Sequence, residues 1–338
     1  MSDNVYIQSN EPDGNRVLAF RRDPDGTLSQ RGTFATGGAG SGAPHLQSQG
    51  SVVLTRDGRH LLVTNAGSGD LSIFETGEEA LTLLQTIPSG GGAPRSVTEH
   101  GGLVYVMNTE GPSLAGFRIQ EGGLDPVPDT PRALPDGSDP AQVGFIPDGS
   151  GIVVTNRGTD SITLYPVDDS GRLGQPTENP SSGPTPYGFA FGTNGTLVVT
   201  EAFGAQKGKA AASSYVLGSG SIRPVSRSVG NGRSEICWAV VTSEGRYAFT
   251  TNFADGAVSR YAVNADGSLS LEDATAGIAV DGETGLRDED LSTDGRFIYV
   301  LNADSRRIFG WAVGADGRLS QVGAWDGLPA SAAGLAAS

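Results

Sequence analysis

Asp57-Gly58-Arg59-His60-Leu61-Leu62-Val63-Thr64-Asn65 is the stretch whose reading decides the fold. A carboxylate or amide residue and Gly make a turn, a short β-branched and apolar run follows, and the run stops on Asn. The same phrase returns as Asp148-Gly149 to Val154-Thr155-Asn156, Asn194-Gly195 to Val199-Thr200-Glu201, Glu244-Gly245 to Thr250-Thr251-Asn252 and Asp294-Gly295 to Val300-Leu301-Asn302. His100-Gly101 to Val106-Met107-Asn108 is a degenerate copy, and Val5-Tyr6-Ile7-Gln8-Ser9-Asn10 is a half copy that brings the count to seven. Successive end residues lie 43 (Asn65 to Asn108) to 55 (Asn10 to Asn65) positions apart. That is the period of propeller blades, and the apolar alternation within each copy has the period of strands.

Each unit reads as four strands. In the second, these are 51–56, 60–65, 71–76 and 81–87, with Asp57-Gly58 as a tight turn in which both residues are expected to tolerate positive φ. A second turn phrase recurs between the third and fourth strands, as Asp25-Gly26, Asp266-Gly267 and Asp316-Gly317. The expected architecture is an all-β, seven-bladed β-propeller of four-stranded antiparallel blades forming a single domain over 1–338. Its blades are 5–38 plus 331–338, 51–90, 95–135, 141–180, 187–230, 237–280 and 287–327. The first unit lacks an inner strand, whereas 328–338 is left over after the last. The C-terminal segment is therefore expected to pair in the first blade and close the ring, leaving no open junction.

The formal net charge of −15, with Lys207 and Lys209 as the only lysines, opposes binding to nucleic acid and to anionic membranes. Cys237 is the single cysteine, so no intramolecular disulfide forms. No apolar run approaches the roughly 20 residues of a membrane-spanning helix, and no leader-like segment opens the chain. The expectation is a cytoplasmic monomer. The three histidines have no metal-site spacing, so neither metal nor cofactor is expected.

Propellers present ligands with a concave site at the mouth of the channel, where the inner strands begin. Aligning the units puts Gln49, Arg95, Gln142, Tyr187, Trp238 and Asp288 there. Arg95 suits an anion, Tyr187 and Trp238 suit a planar ligand, and Asp288 suits proton transfer. The Asn column reads as structural, each side chain closing a turn. Glu201, which replaces Asn in that column, is a further candidate acid–base group. Two long segments interrupt the period on the same face: 37–50, which holds His45 as a ligand candidate, and 202–213 with its two lysines.

The phrases Ser48-Gln49-Gly50-Ser51-Val52-Val53-Leu54-Thr55-Arg56-Asp57-Gly58-Arg59, Gly183-Pro184-Thr185-Pro186-Tyr187-Gly188-Phe189, Cys237-Trp238-Ala239-Val240-Val241-Thr242 and Gly327-Leu328-Pro329-Ala330 resemble those of the bacterial lactonase-type seven-bladed propellers. That superfamily includes 6-phosphogluconolactonase-like and carboxymuconate-lactonizing enzymes. The resemblance spans nearly the whole chain. It implies opening or closing of a lactone of a small organic or sugar acid without a redox cofactor, with Arg95 and Glu201 in roles comparable to the family's Arg and Glu. Pro140-Ala141-Gln142 lacks the imidazole that the family often carries at this point of an inner strand. A lactonase-like enzyme, a non-catalytic small-molecule binder and an interaction scaffold remain open readings.

Overall fold

A computed structural model describes residues 3–44, 46–78, 80–218, 220–279 and 283–338. The strands form seven separate antiparallel sheets, each ordered from the channel outwards. Blade 2 is representative, with Val52–Leu54 innermost, then His60–Asn65, Asp70–Thr76 and Leu81–Pro88. In blade 3 the outer edge is split, Gly123–Pro126 and Arg132–Ala133 both pairing with Ser113–Gln120. The closure expected from the sequence is borne out: Ala333–Ala337 pairs with Asn4–Gln8 and completes a four-stranded blade 1.

The blade turns differ in detail from the expected geometry. Gly58 takes φ +68°, while Asp57 stays out of the left-handed region. Instead, Asp57 Oδ1 accepts the Arg59 N–H at 3.0 Å and the Thr55 hydroxyl at 2.7 Å, and the Gly58 N–H reaches the Thr55 carbonyl at 2.7 Å. The carboxylate thus holds the loop and only the glycine needs positive φ. Asp148 and Asp294 repeat the bond to the residue two ahead, at 3.0 and 3.1 Å.

Neighbouring blades pack face to face through the apolar positions of their strands. Between blades 7 and 1, Phe297, Tyr299 and Leu301 meet Val5, Ile7, Phe20 and Leu335. The Asn column locks blades at one rim. Asn65 accepts from Thr36 Oγ1 at 2.7 Å and Asn15 Nδ2 at 2.9 Å, and donates to Ser72 Oγ at 2.8 Å, tying blade 2 to the segment that leaves blade 1. Asn252 does the same through Asn231 at 2.8 Å and Ser259 at 2.9 Å.

The inner strands leave an unpaired row of backbone groups along the channel, which must find partners. Side chains from neighbouring inner strands supply them. Ser96 Oγ accepts the Val143 N–H at 3.2 Å, and Thr98 Oγ1 accepts the Phe145 N–H at 3.1 Å. On the seam, Asp288 and Asp290 accept the Gly334 and Ala337 N–H groups, both at 2.9 Å. The closing strand is thus held on one side by backbone pairing and on the other by carboxylates.

Candidate active site

The channel residues named from the sequence divide into two groups. Gln49 reaches from blade 2 across the axis to blade 6, where its amide donates to the Ala239 carbonyl at 3.0 Å and accepts the Ala239 N–H at 3.2 Å. Gln142 clasps blade 5 in the same manner, through the Phe189 carbonyl at 3.0 Å and N–H at 2.6 Å. Both amides are committed to backbone rather than presented to a ligand. Gly188 makes the crossing possible, since a Cβ there would stand 2.6 Å from Gln49 Oε1 and 2.6 Å from the Cys237 carbonyl. Gly188→Ala is expected to break the Gln49 bridge and lower the melting temperature by several degrees; unchanged melting would show that the bridge contributes nothing to stability.

On one side of this crossbar lies the mouth. Tyr187 and Trp238 pack with ring centroids 4.8 Å apart, in a buried cluster with Ala141, Ala202 and Cys237. The Arg157 guanidinium lies over Tyr187, its Cζ 4.9 Å from the ring centroid. Arg157 Nη1 donates to the phenol oxygen at 3.0 Å, and Arg95 and Arg287 both lie within electrostatic reach of it. Arg157 is also paired with Asp139 at 2.7 Å and Arg287 with Asp304 at 3.3 Å. Arg95 has no ion pair or hydrogen bond among the described residues, and its Nε is buried without a partner. Arg287 Nε and Nη1 and Trp238 Nε1 are likewise buried and unpartnered. Burial, then the neighbouring Arg157 charge, weakens the hold of Arg95 on its proton. Burial pushes the Cys237 thiol up to about 12, so it stays protonated and unreactive.

On the other side lies a cavity of about 460 Å³, opening at the face where the inner strands end and lined by Gln49, Gln142, Asp288 and Asp290 among others. Asp288 belongs here rather than to the mouth. Burial raises Asp288 to about 6 and Asp290 to about 7, against the lowering effect of the N–H groups they accept. Both carboxyls therefore bind protons more tightly in the folded than in the unfolded chain. Folding takes up protons between about pH 4 and 7, and stability falls as pH rises through that window, by at most roughly 1.4 kcal/mol per carboxyl per pH unit. Asp288→Asn/Asp290→Asn is expected to flatten the melting temperature between pH 5 and 7; an unchanged slope would show that other groups set it.

Glu201 is not brought to the mouth. Glu201 is 0% exposed, and its carboxylate meets hydroxyls of the third and fourth strands of blade 5. It accepts from the Gly183 N–H at 2.8 Å and from the Ser213 and Ser228 hydroxyls, each at 2.6 Å. This is the blade-locking role of the Asn column performed by a longer side chain, and burial raises its pKa despite those donors. Glu201→Gln keeps an acceptor for the Gly183 N–H and the Ser213 hydroxyl while its amide N–H meets the rotatable Ser228 hydroxyl, and is expected to cost about 1–2 kcal/mol of stability while leaving activity per folded molecule intact. Loss of activity with unchanged melting would restore the catalytic role expected from the sequence.

His45 lies outside the described residues. Lys207 and Lys209 are exposed on the loop beside the mouth, and no helix among the described residues is long and apolar enough to cross a membrane. The structure adds Arg157 to the candidates. It directly follows Asn156, and a cation just past the column residue at the channel rim was the available signal.

The chain is similar along its full length to a protein from Lactobacillus plantarum, with 17% identity, 100% of both chains covered and a TM-score of 0.78. It is also similar to the periplasmic gluconolactonase of Pseudomonas aeruginosa, with 18% identity, 100% of this chain and 99% of that one covered, and a TM-score of 0.76. A candidate 6-phosphogluconolactonase of Bacteroides uniformis gives 17% identity, coverage of 98% and 99%, and a TM-score of 0.76. At these identities the likeness is one of fold. No curated protein sequence matches the chain. The family model described as lactonase, 7-bladed beta-propeller, matches residues 9–132 and 123–209, more than half of the sequence. With its seven sheets and closed ring, the chain belongs to the lactonase family of seven-bladed β-propellers.

Proposed function

We propose that the protein opens or forms the lactone of a small anionic acid, such as a sugar acid carrying a phosphate or carboxylate, at the mouth beside Tyr187. The observation that carries this reading is the set of buried donors without acceptors: Arg95 Nε, Arg287 Nε and Nη1, and Trp238 Nε1. Buried polar groups are almost always satisfied, and charged ones most of all. Donors left open in one place, in a protein of net charge −15, suit a ligand rich in anionic oxygen. Family membership makes a lactone the natural candidate, and the names of the gluconolactonase and 6-phosphogluconolactonase neighbours agree with it.

In this reading Arg95, the unpaired cation, holds the ligand's anionic group by its fork of N–H donors. Arg287 faces the lactone carbonyl. Water adds to the carbonyl carbon, negative charge gathers on the carbonyl oxygen, and a fixed guanidinium stabilises that charge more than the ground state. Collapse breaks the acyl–oxygen bond, and the ring oxygen leaves as a hydroxyl once it takes up the proton the water released. Tyr187 and Trp238 form an apolar floor that keeps the ring oriented. Gln49, Gln142 and Glu201 have structural duties, and no redox cofactor takes part.

The experiment is a hydrolysis panel, read by acid release, of neutral lactones against the same lactones carrying phosphate or carboxylate. Anionic lactones should be turned over with kcat/KM at least about 10-fold above their neutral counterparts, a difference of roughly 1.4 kcal/mol. Equal rates for both would contradict the reading. Binding of the anionic acids without turnover would make the protein a non-catalytic binder with the same ligand class.

A further inference from the structure

The connection that follows Glu201 breaks the pattern of the other blades. Between the second and third strands, blades 2, 4, 6 and 7 use four residues: 66–69, 157–160, 253–256 and 303–306. Blade 5 uses nine, 202–210. We propose that this segment is a two-state strap, latched at the rim as seen here, that closes over a ligand in the mouth and brings Lys207 and Lys209 onto its anionic group. The inference rests on the anion-holding reading of the mouth.

The strap spans the rim between two inner strands. It begins at Ala202, which packs with Tyr187 and Trp238. The Gly204 N–H donates to Thr185 Oγ1 at 3.0 Å, two residues before Tyr187. The Gly208 N–H donates to Ser234 Oγ at 3.0 Å, three residues before Cys237. Residues 204–209 are exposed. Neither lysine ammonium has a hydrogen bond or ion pair among the described residues, and these are the only lysines in a chain of net charge −15. Two unanswered cations beside an anion site add to its attraction. A flexible lysine stem suits a contact made after closure, whereas the planar fork of Arg95 suits one built in advance.

The backbone supplies the second state. Phe203, Gly204 and Ala205 take φ of +50°, +59° and +62°, while Ala202 before them and Gln206 after them return to −82° and −65°. Side chains with a Cβ disfavour such left-handed runs, and the strain persists only where neighbours impose it. Here the two hydroxyl latches impose it, with the Phe203 N–H on the Pro184 carbonyl at 3.2 Å. The latch residues are themselves held, the Thr185 N–H by Asp160 Oδ1 at 2.7 Å and the Ser234 N–H by Asp255 Oδ2 at 2.6 Å. Releasing the strap gives up two solvent-side hydrogen bonds and relieves two strained residues, costs and gains of the same order. A ligand that touches the lysines only in the closed state then shifts the balance.

The test is calorimetric titration of the full chain with 6-phosphogluconate, alongside melting curves without ligand. Lys207→Met/Lys209→Met should weaken binding at least 10-fold with melting unchanged. Ala205→Gly relieves the strain of the latched form, so it should raise melting and weaken binding at least 3-fold. Thr185→Val removes one latch without changing shape, so it should lower melting and strengthen binding at least 3-fold. Arg95→Met should weaken binding whether or not the strap acts, which separates the two readings. Unaltered affinity in the double lysine variant, or Ala205→Gly and Thr185→Val shifting affinity in the same direction or not at all, would overturn the strap while leaving the mouth site standing. Absence of binding to the folded wild type would overturn both.

Discussion

Removal of residues 331–338 is expected to lower the melting temperature by more than about 10 °C or to abolish cooperative unfolding. The segment supplies the inner strand Ala333–Ala337, every residue of which is buried. Its loss leaves the edge of Asn4–Gln8 bare, since Val5, Tyr6 and Ile7 pair with Ala337, Ala336 and Leu335. It also strips Asp288 and Asp290 of the N–H groups they accept, and removes Leu335 and Ala337 from the core between blades 1 and 7. A cost of about 5 kcal/mol shifts melting by roughly 10–20 °C in a domain of 150–250 residues and by less in a longer chain; several such costs are incurred here. An exposed inner edge also invites pairing between chains, so the truncated protein should aggregate. Thermal unfolding followed by circular dichroism checks this, and a truncated chain that melts within 2 °C of the intact one would contradict it.

Arg95→Met is expected to weaken binding of an anionic ligand by about 10- to 100-fold, the value of a charge-assisted hydrogen-bonded contact of roughly 1.5–3 kcal/mol. The same substitution should leave melting unchanged or raise it slightly. Arg95 forms no hydrogen bond or ion pair among the described residues, and its Nε is buried unsatisfied, so an apolar side chain of similar length removes a cost. Opposite signs for affinity and stability are the mark of a group retained for ligand rather than for fold. Arg157→Met should behave differently, because it breaks the 2.7 Å pair with Asp139 and the 3.0 Å bond to Tyr187. Melting curves with and without ligand separate the cases. A destabilised Arg95→Met with unaltered affinity would assign the residue a structural role.

The blade architecture was legible because it rests on local chemistry repeated in register. Each Asp-Gly or equivalent turn, each β-branched run and each terminal Asn says the same thing about its own unit, and agreement among units fixes the ring. The closing strand was legible as a deficit, one strand short at the start and one segment over at the end. Side-chain allegiance was less so. Gln49, Gln142 and Asp288 do line the channel, but their partners are backbone groups of other blades, and for Gln49 the partner Ala239 lies 190 positions away. Nothing in the local sequence marks which edge N–H groups need an acceptor, or that Gly188 clears a path across the axis. Glu201 was misleading for a related reason. Its place in the Asn column was plain, but the nearby hydroxyls of Ser213 and Ser228 that absorb its charge are visible only once the third and fourth strands of blade 5 are paired. The expected single cup became two compartments because one glutamine spans the channel.

The most direct test of the mouth as an anion-holding lactone site is titration of the wild-type chain and Arg95→Met with 6-phosphogluconate, the open-chain acid of a phosphorylated lactone. The account predicts one site per chain in the wild type, and an affinity at least 10-fold lower in the variant at equal or higher melting temperature. No binding to the wild type, or equal binding to both proteins, would contradict it.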